Sequence, residues 1–126
     1  MQTKDFHIGD ILSVTTGRLV SPRHIGGVYD ILNWMTGESL YTHQLPRVGR
    51  EAAPVLLAAH PQLAEAQAEA EAVNKDNWEH FLAKMVARYG ETLPVPKLTR
   101  DQHEEIDPMS ELVEKVHPDK IITVQA

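Results

Sequence analysis

The sequence contains no cysteine. That single absence excludes disulfides, thiolate-ligated zinc and thiol catalysis together. No apolar run comes near the roughly 18 residues that suggest a membrane span, so no membrane partner is expected. The opening residues, MQTKDFHIGD, show neither a charged-then-apolar leader nor a lipidation pattern, and a bacterial-type cytoplasm is the expected setting. Basic residues are also scarce: 12 Lys and Arg face 18 Asp and Glu, for a formal net charge of −6. Such a balance argues against a general nucleic-acid binder, whose affinity comes mainly from cations that neutralise phosphates, and no direct sequence-specific nucleic-acid partner is expected.

What remains is ordinary for a water-soluble globular chain. Its 126 residues, 42% hydrophobic and 24% charged, suit one domain over 1–126. The charge is unevenly placed, because residues 1–50 balance at +1 and residues 51–126 at −7. An acidic second part fits a protein that meets a basic surface, or one kept in solution by its charge.

A repeat dominates the first part. DILSVTTG from Asp10 and DILNWMTG from Asp30 match at Asp10/Asp30, Ile11/Ile31, Leu12/Leu32, Thr16/Thr36 and Gly17/Gly37. Ile8, Ile11, Leu12 and Thr15 fall at helical spacings, and Val28, Ile31, Leu32 and Met35 take the same offsets. Each copy therefore predicts a short amphipathic helix, stopped by a glycine suited to the left-handed position just past a helix end. Ser21 as cap and Pro22 at the first helical position would start the second helix, although Gly26 and Gly27 favour a start nearer Gly27. Two such helices predict a helical hairpin over 8–37. A duplicated binding half-site is the alternative, but it would require like polar residues in both copies, and Arg18 stands opposite Glu38.

Further on, residues 46–59 predict a helix that Pro54 kinks or divides. The Ala/Glu-rich stretch within 62–75 lacks a large apolar anchor and reads as a solvated helix or a connector. Residues 77–89 give the clearest amphipathic pattern, through Trp78, Phe81, Leu82, Met85, Val86 and Tyr89, with Asp76 and Glu79 as a capping box. Over 92–124 the chain predicts an edge strand at LPVPKL, a helix capped by Asp107 and Pro108, and a final strand, Lys120–Val124, to pair with the first. The expected fold is α+β and predominantly helical: about five short helices with a small two- or three-stranded antiparallel sheet.

No motif names a reaction. The seven histidines lack metal-ligand spacing, so neither a metal nor a cofactor is expected, and no serine or threonine sits in a nucleophile motif. Asp101 with Glu104 could serve as an acid/base pair but reads equally as a solvated helix face. Two constellations remain. Arg18, Arg23, His24, Arg47 and Arg50, with the Gly26-Gly27 helix start, could bind a phosphate or nucleotide, as a small-molecule binder or an enzyme acting on a phosphorylated compound, unless those arginines pair with acids of the second part. Glu65, Glu69, Glu71, Asp101, Glu104 and Glu105 form candidate acidic faces for a partner.

The stretch FHIGDILSVTTGRLVSPRHIGGVYDILNWMTGESLYTHQLPR, with YGETLPVPKL and EEIDPMSELV, resembles a family of small proteins of bacteriophages, prophages and other mobile elements. The resemblance is strongest over residues 6–61. It implies a protein that binds and blocks a host protein or complex, anti-defence inhibition of a CRISPR effector being one such role. Self-association into a homo-oligomer is compatible with the same setting.

Overall fold

The computed structural model describes residues 2–104, 106 and 109–112. Its elements run β1 (Thr3–His7), α1 (Ile8–Thr16), α2 (Ile25–Thr36), a 3-10 turn at Thr42–Gln44, α3 (Leu45–Ala59), a second 3-10 turn at Pro61–Glu65, α4 (Ala66–Ala70), α5 (Trp78–Tyr89) and β2 (Thr92–Pro96). A helical turn follows at 109–112. The fold is α+β and predominantly helical, with one two-stranded antiparallel sheet among the described residues. No described helix is long and apolar enough to cross a membrane.

The short α1 lies at the centre, packed against α2, α3, α4 and α5. Every residue from Ile8 to Thr15 is buried, polar ones included. The apolar offsets expected from the repeat face inward: Ile8, Ile11 and Leu12 are sealed in the core, as are Ile31, Leu32 and Met35. Burial of each such side chain is worth roughly 1.5–3 kcal/mol.

The repeated letters correspond to repeated bonds. Thr16 Oγ1 donates to the Leu12 carbonyl at 2.6 Å, and Thr36 Oγ1 to that of Leu32 at 2.8 Å. Each threonine then accepts from the amide two residues on, Arg18 or Glu38. Gly17 and Gly37 take left-handed φ values of 74° and 75°, a region closed to most side chains. Beyond the glycines, the Val20 amide donates to Ser13 Oγ and the Leu40 amide to Asn33 Oδ1, both at 2.9 Å. Ser13 and Asn33 are different side chains, yet each supplies the acceptor that turns the chain back along its helix.

Several expectations need correction. Ser21 caps a turn rather than α2: its Oγ accepts from the Arg23 amide at 3.1 Å, and the helix begins at Ile25, behind His24 at φ 56°. Pro54 does not divide α3, which runs unbroken from Leu45 to Ala59. Pro54 and Arg50 both face solvent, so the carbonyl left without a donor there can be hydrated. The start of α5 is not made by an Asp76–Glu79 capping box. Asn74 Oδ1 accepts from the Asp76 and Asn77 amides, and Asn77 Oδ1 accepts from that of Asn74. The Ala/Glu stretch is anchored after all, by Leu63 and by Ala66 and Ala70, which are buried where α4 meets α1. Alanine suffices because the helices approach closely.

LPVPKL does form a strand, but β2 pairs with β1, in register Thr3↔Pro96, Asp5↔Pro94 and His7↔Thr92. The two prolines lie two residues apart, so their missing donors fall on one side of the strand. The expected partner Lys120–Val124 lies outside the described residues, as do Asp107 and Pro108. Trp34 Nε1 donates to the Val95 carbonyl at 3.0 Å, fastening the ribbon to α2.

Candidate functional site

The arginines of the first part do not converge on one anion site. Arg23 stands between the two equivalent aspartates of the repeat, donating to Asp10 Oδ2 at 2.7 Å and pairing also with Asp30. The Asp10 side chain is only 1% exposed and accepts a second, short bond from Ser21 Oγ at 2.5 Å. Gly27 makes room for this pair: a Cβ there would fall inside van der Waals contact of both Asp10 Oδ1 and Ser21 Oγ. Asp10, with a smaller contribution from Asp30, pushes the Arg23 pKa up against the opposing effect of burial. His24 packs edge-on against Trp78 at 5.5 Å between ring centroids, and among the described residues Arg18 reaches only the Glu71 carbonyl, at 3.5 Å.

Arg47 turns toward the second part of the chain. It meets Glu111 through Nε at 2.8 Å and NH2 at 3.0 Å, and NH1 donates to Glu51 at 3.0 Å and to the Glu104 carbonyl at 2.7 Å. Gln44 Nε2 adds a bond to Glu111 at 3.3 Å. Glu111 foremost, then Glu51, hold the guanidinium pKa above its ordinary value despite burial. For Arg47, pairing with acids of the second part therefore prevails over anion binding.

His103 joins the same network. Its side chain is 6% exposed, with Nδ1 2.6 Å from Glu51 Oε1 and Nε2 against Glu38 Oε2. A carboxylate only accepts, so bonds from both ring nitrogens require the doubly protonated ring. Burial opposes that charge, but the hydrogen bonds to Glu38 and Glu51 outweigh it and raise the pKa. Leu98 N to Met35 O at 2.8 Å and Glu104 N to Glu51 Oε2 at 3.0 Å complete the attachment of this segment to α2 and α3.

The expected acidic residues lie in two places. Glu65 and Glu71 are exposed on either side of α4. Glu69, between them, is held by Arg88 and by Lys84, with the Arg88 bond foremost in lowering its pKa. Asp101 and Glu104 are exposed on the segment carried by α3, and Glu105 lies outside the described residues.

Sequence reasoning missed an open apolar groove of about 650 Å³ between α1, α2 and α3. Val14, Val28, Leu32 and Leu45 line it, while Leu19 and Ile25, 46% and 47% exposed, stand at its rim. The Tyr29 hydroxyl bonds Thr42 there, joining α2 to the approach to α3. Nothing in the letters separates these residues from core, because an apolar stripe looks the same whether a helix or a void faces it.

These features define a small helical domain with an apolar groove on one side and exposed carboxylates elsewhere. Over residues 6–66, just under half of the chain, it is similar to the family model described as Domain of unknown function (DUF7736). That span contains every residue lining the groove and stops short of His103. No curated protein and no solved structure matches the chain.

Proposed function

We propose that this protein works by binding and covering a host protein or protein complex, as a blocking protein of a phage or other mobile element, with anti-defence inhibition as the specific role. The observation that carries the reading is the way Glu104 is presented. Its amide donates to Glu51 and its carbonyl accepts from Arg47, while the residue itself remains exposed. A charge on an anchored backbone costs little further ordering when a basic partner meets it. Asp101 is exposed on the same segment, and Arg23 and Arg47 are engaged with the protein's own carboxylates, so they do not cancel this field.

The test is a pull-down from bacterial lysate with the tagged protein and two variants, Asp101→Lys/Glu104→Lys and Glu65→Lys/Glu71→Lys. A stoichiometric host protein should be retained, released by added salt, and lost with the first variant. Retention indifferent to salt and to both variants would overturn the acidic-face reading.

A further inference from the structure

We infer that the groove between α1, α2 and α3 is a binding site for a small amphipathic anion, an apolar body carrying one carboxylate-like head. This goes beyond the proposed blocking role and uses a different face.

Three observations meet in the groove. Its volume, about 650 Å³, lies within the roughly 300–1,000 Å³ typical of small-molecule sites, and its walls are mainly aliphatic. Arg50 is the one ionised side chain among the residues lining it. Unlike Arg23 and Arg47, Arg50 is exposed and makes no ion pair among the described residues. An arginine beside an apolar wall suits a ligand whose head is anionic and whose body is not.

The hydroxyls lining the groove sharpen the assignment. Ser13 donates to the Gly9 carbonyl, Thr16 to the Leu12 carbonyl, and Thr42 is bonded to Tyr29. Thr15, 8% exposed, is different: its Oγ1 has no hydrogen-bond partner among the described residues. An orphaned buried hydroxyl costs roughly 1–3 kcal/mol. Oγ1 is itself sealed from solvent, so an acceptor on a bound molecule would relieve it only after the Thr15 side chain turns toward the groove.

Gly49 is the third observation. It lies inside α3 and lines the groove, and a Cβ there would meet nothing within 4 Å. Glycine inside a helix costs roughly 0.5–1 kcal/mol relative to alanine. Neither a positive φ nor a close neighbour requires it here. What its missing side chain does is leave the groove open.

The experiment measures binding of decanoate and of decanol to the purified full chain by titration calorimetry, with Gly49→Leu and Arg50→Gln alongside. Decanoate should bind about tenfold more tightly than decanol, the difference expected of a charge-assisted contact. Arg50→Gln should remove that preference, and Gly49→Leu should abolish binding of both without lowering the unfolding midpoint. The inference is overturned by absence of decanoate binding, by binding that Gly49→Leu leaves intact, or by equal affinity for acid and alcohol in the unmodified protein. Sedimentation of the same samples supplies one more outcome: a dimer that Gly49→Leu dissociates would make the groove a subunit interface and remove the ligand assignment.

Discussion

The two copies of the repeat close their helices with the same threonine bonds and live in different surroundings. Asp10 is sealed in the centre of the molecule, whereas its equivalent Asp30 has a side chain 56% exposed. Arg18, after the first glycine, touches a distant backbone carbonyl, and Glu38, after the second, holds His103. The local sequence thus determines how each helix ends, and the position in the fold determines what each copy is worth.

The largest test of that difference compares Asp10→Ala with Asp30→Ala by urea unfolding. Removing Asp10 strands the buried Ser21 hydroxyl and one side of Arg23, and should cost about 2–3 kcal/mol. Asp30→Ala should cost less than about 1 kcal/mol, as expected of an exposed pair. Equal losses would mean that burial does not separate the copies.

A second contrast lies just past the glycines. Glu38→Gln should cost about 1–2 kcal/mol by weakening the bond to charged His103, while Arg18→Ala should have little effect. The pH dependence carries the sign. His103 has a folded pKa raised above its ordinary 6.5, so its stabilisation is complete below that value and is lost as pH rises through the folded pKa. Unfolding measured from mildly acidic to mildly alkaline pH should show this loss, and His103→Gln should flatten it.

A third prediction concerns what the copies share. Gly17→Ala and Gly37→Ala should each cost about 1 kcal/mol in thermal or urea unfolding, because both sites demand the same left-handed backbone and neither Cβ would meet a neighbour. Unequal losses would break the equivalence of the two stops. The smallest effect has the opposite sign: Gly49→Ala, where no positive φ applies, should stabilise by about 0.5 kcal/mol through helix propensity.

The features legible in the letters were local ones. The helix of Phe81, Leu82 and Met85 and the Thr-Gly stops follow from spacing and from glycine's backbone freedom, both contained in a few adjacent residues. The sheet partner was not legible, because β1 carries Lys4 and Asp5 amid few apolar residues and is defined by a strand about 90 residues away. In the sequence His103 stands beside two glutamates. Its actual partners, Glu51 and Glu38, lie 52 and 65 residues earlier. Arg47 and Arg50 show the same limit, since two arginines three residues apart on α3 end in a salt-bridge network and at the edge of a groove. Charge pattern names the residue type, and only packing decides its neighbour.

The bond from Trp34 to Val95 has an optical consequence. Trp34 lies under the ammonium groups of Lys97 and Lys4, at 4.6 and 5.9 Å from the ring centre, while Trp78 sits on α5 against His24. The two indoles are therefore separate fluorescent reporters, one on α2 where the ribbon is seated and one on α5. With Trp78→Phe, emission follows the seating of the ribbon on α2; with Trp34→Phe, it follows α5. Coincident melting of the two signals would mark one cooperative unit, and an earlier change at Trp34 would show the ribbon lifting first.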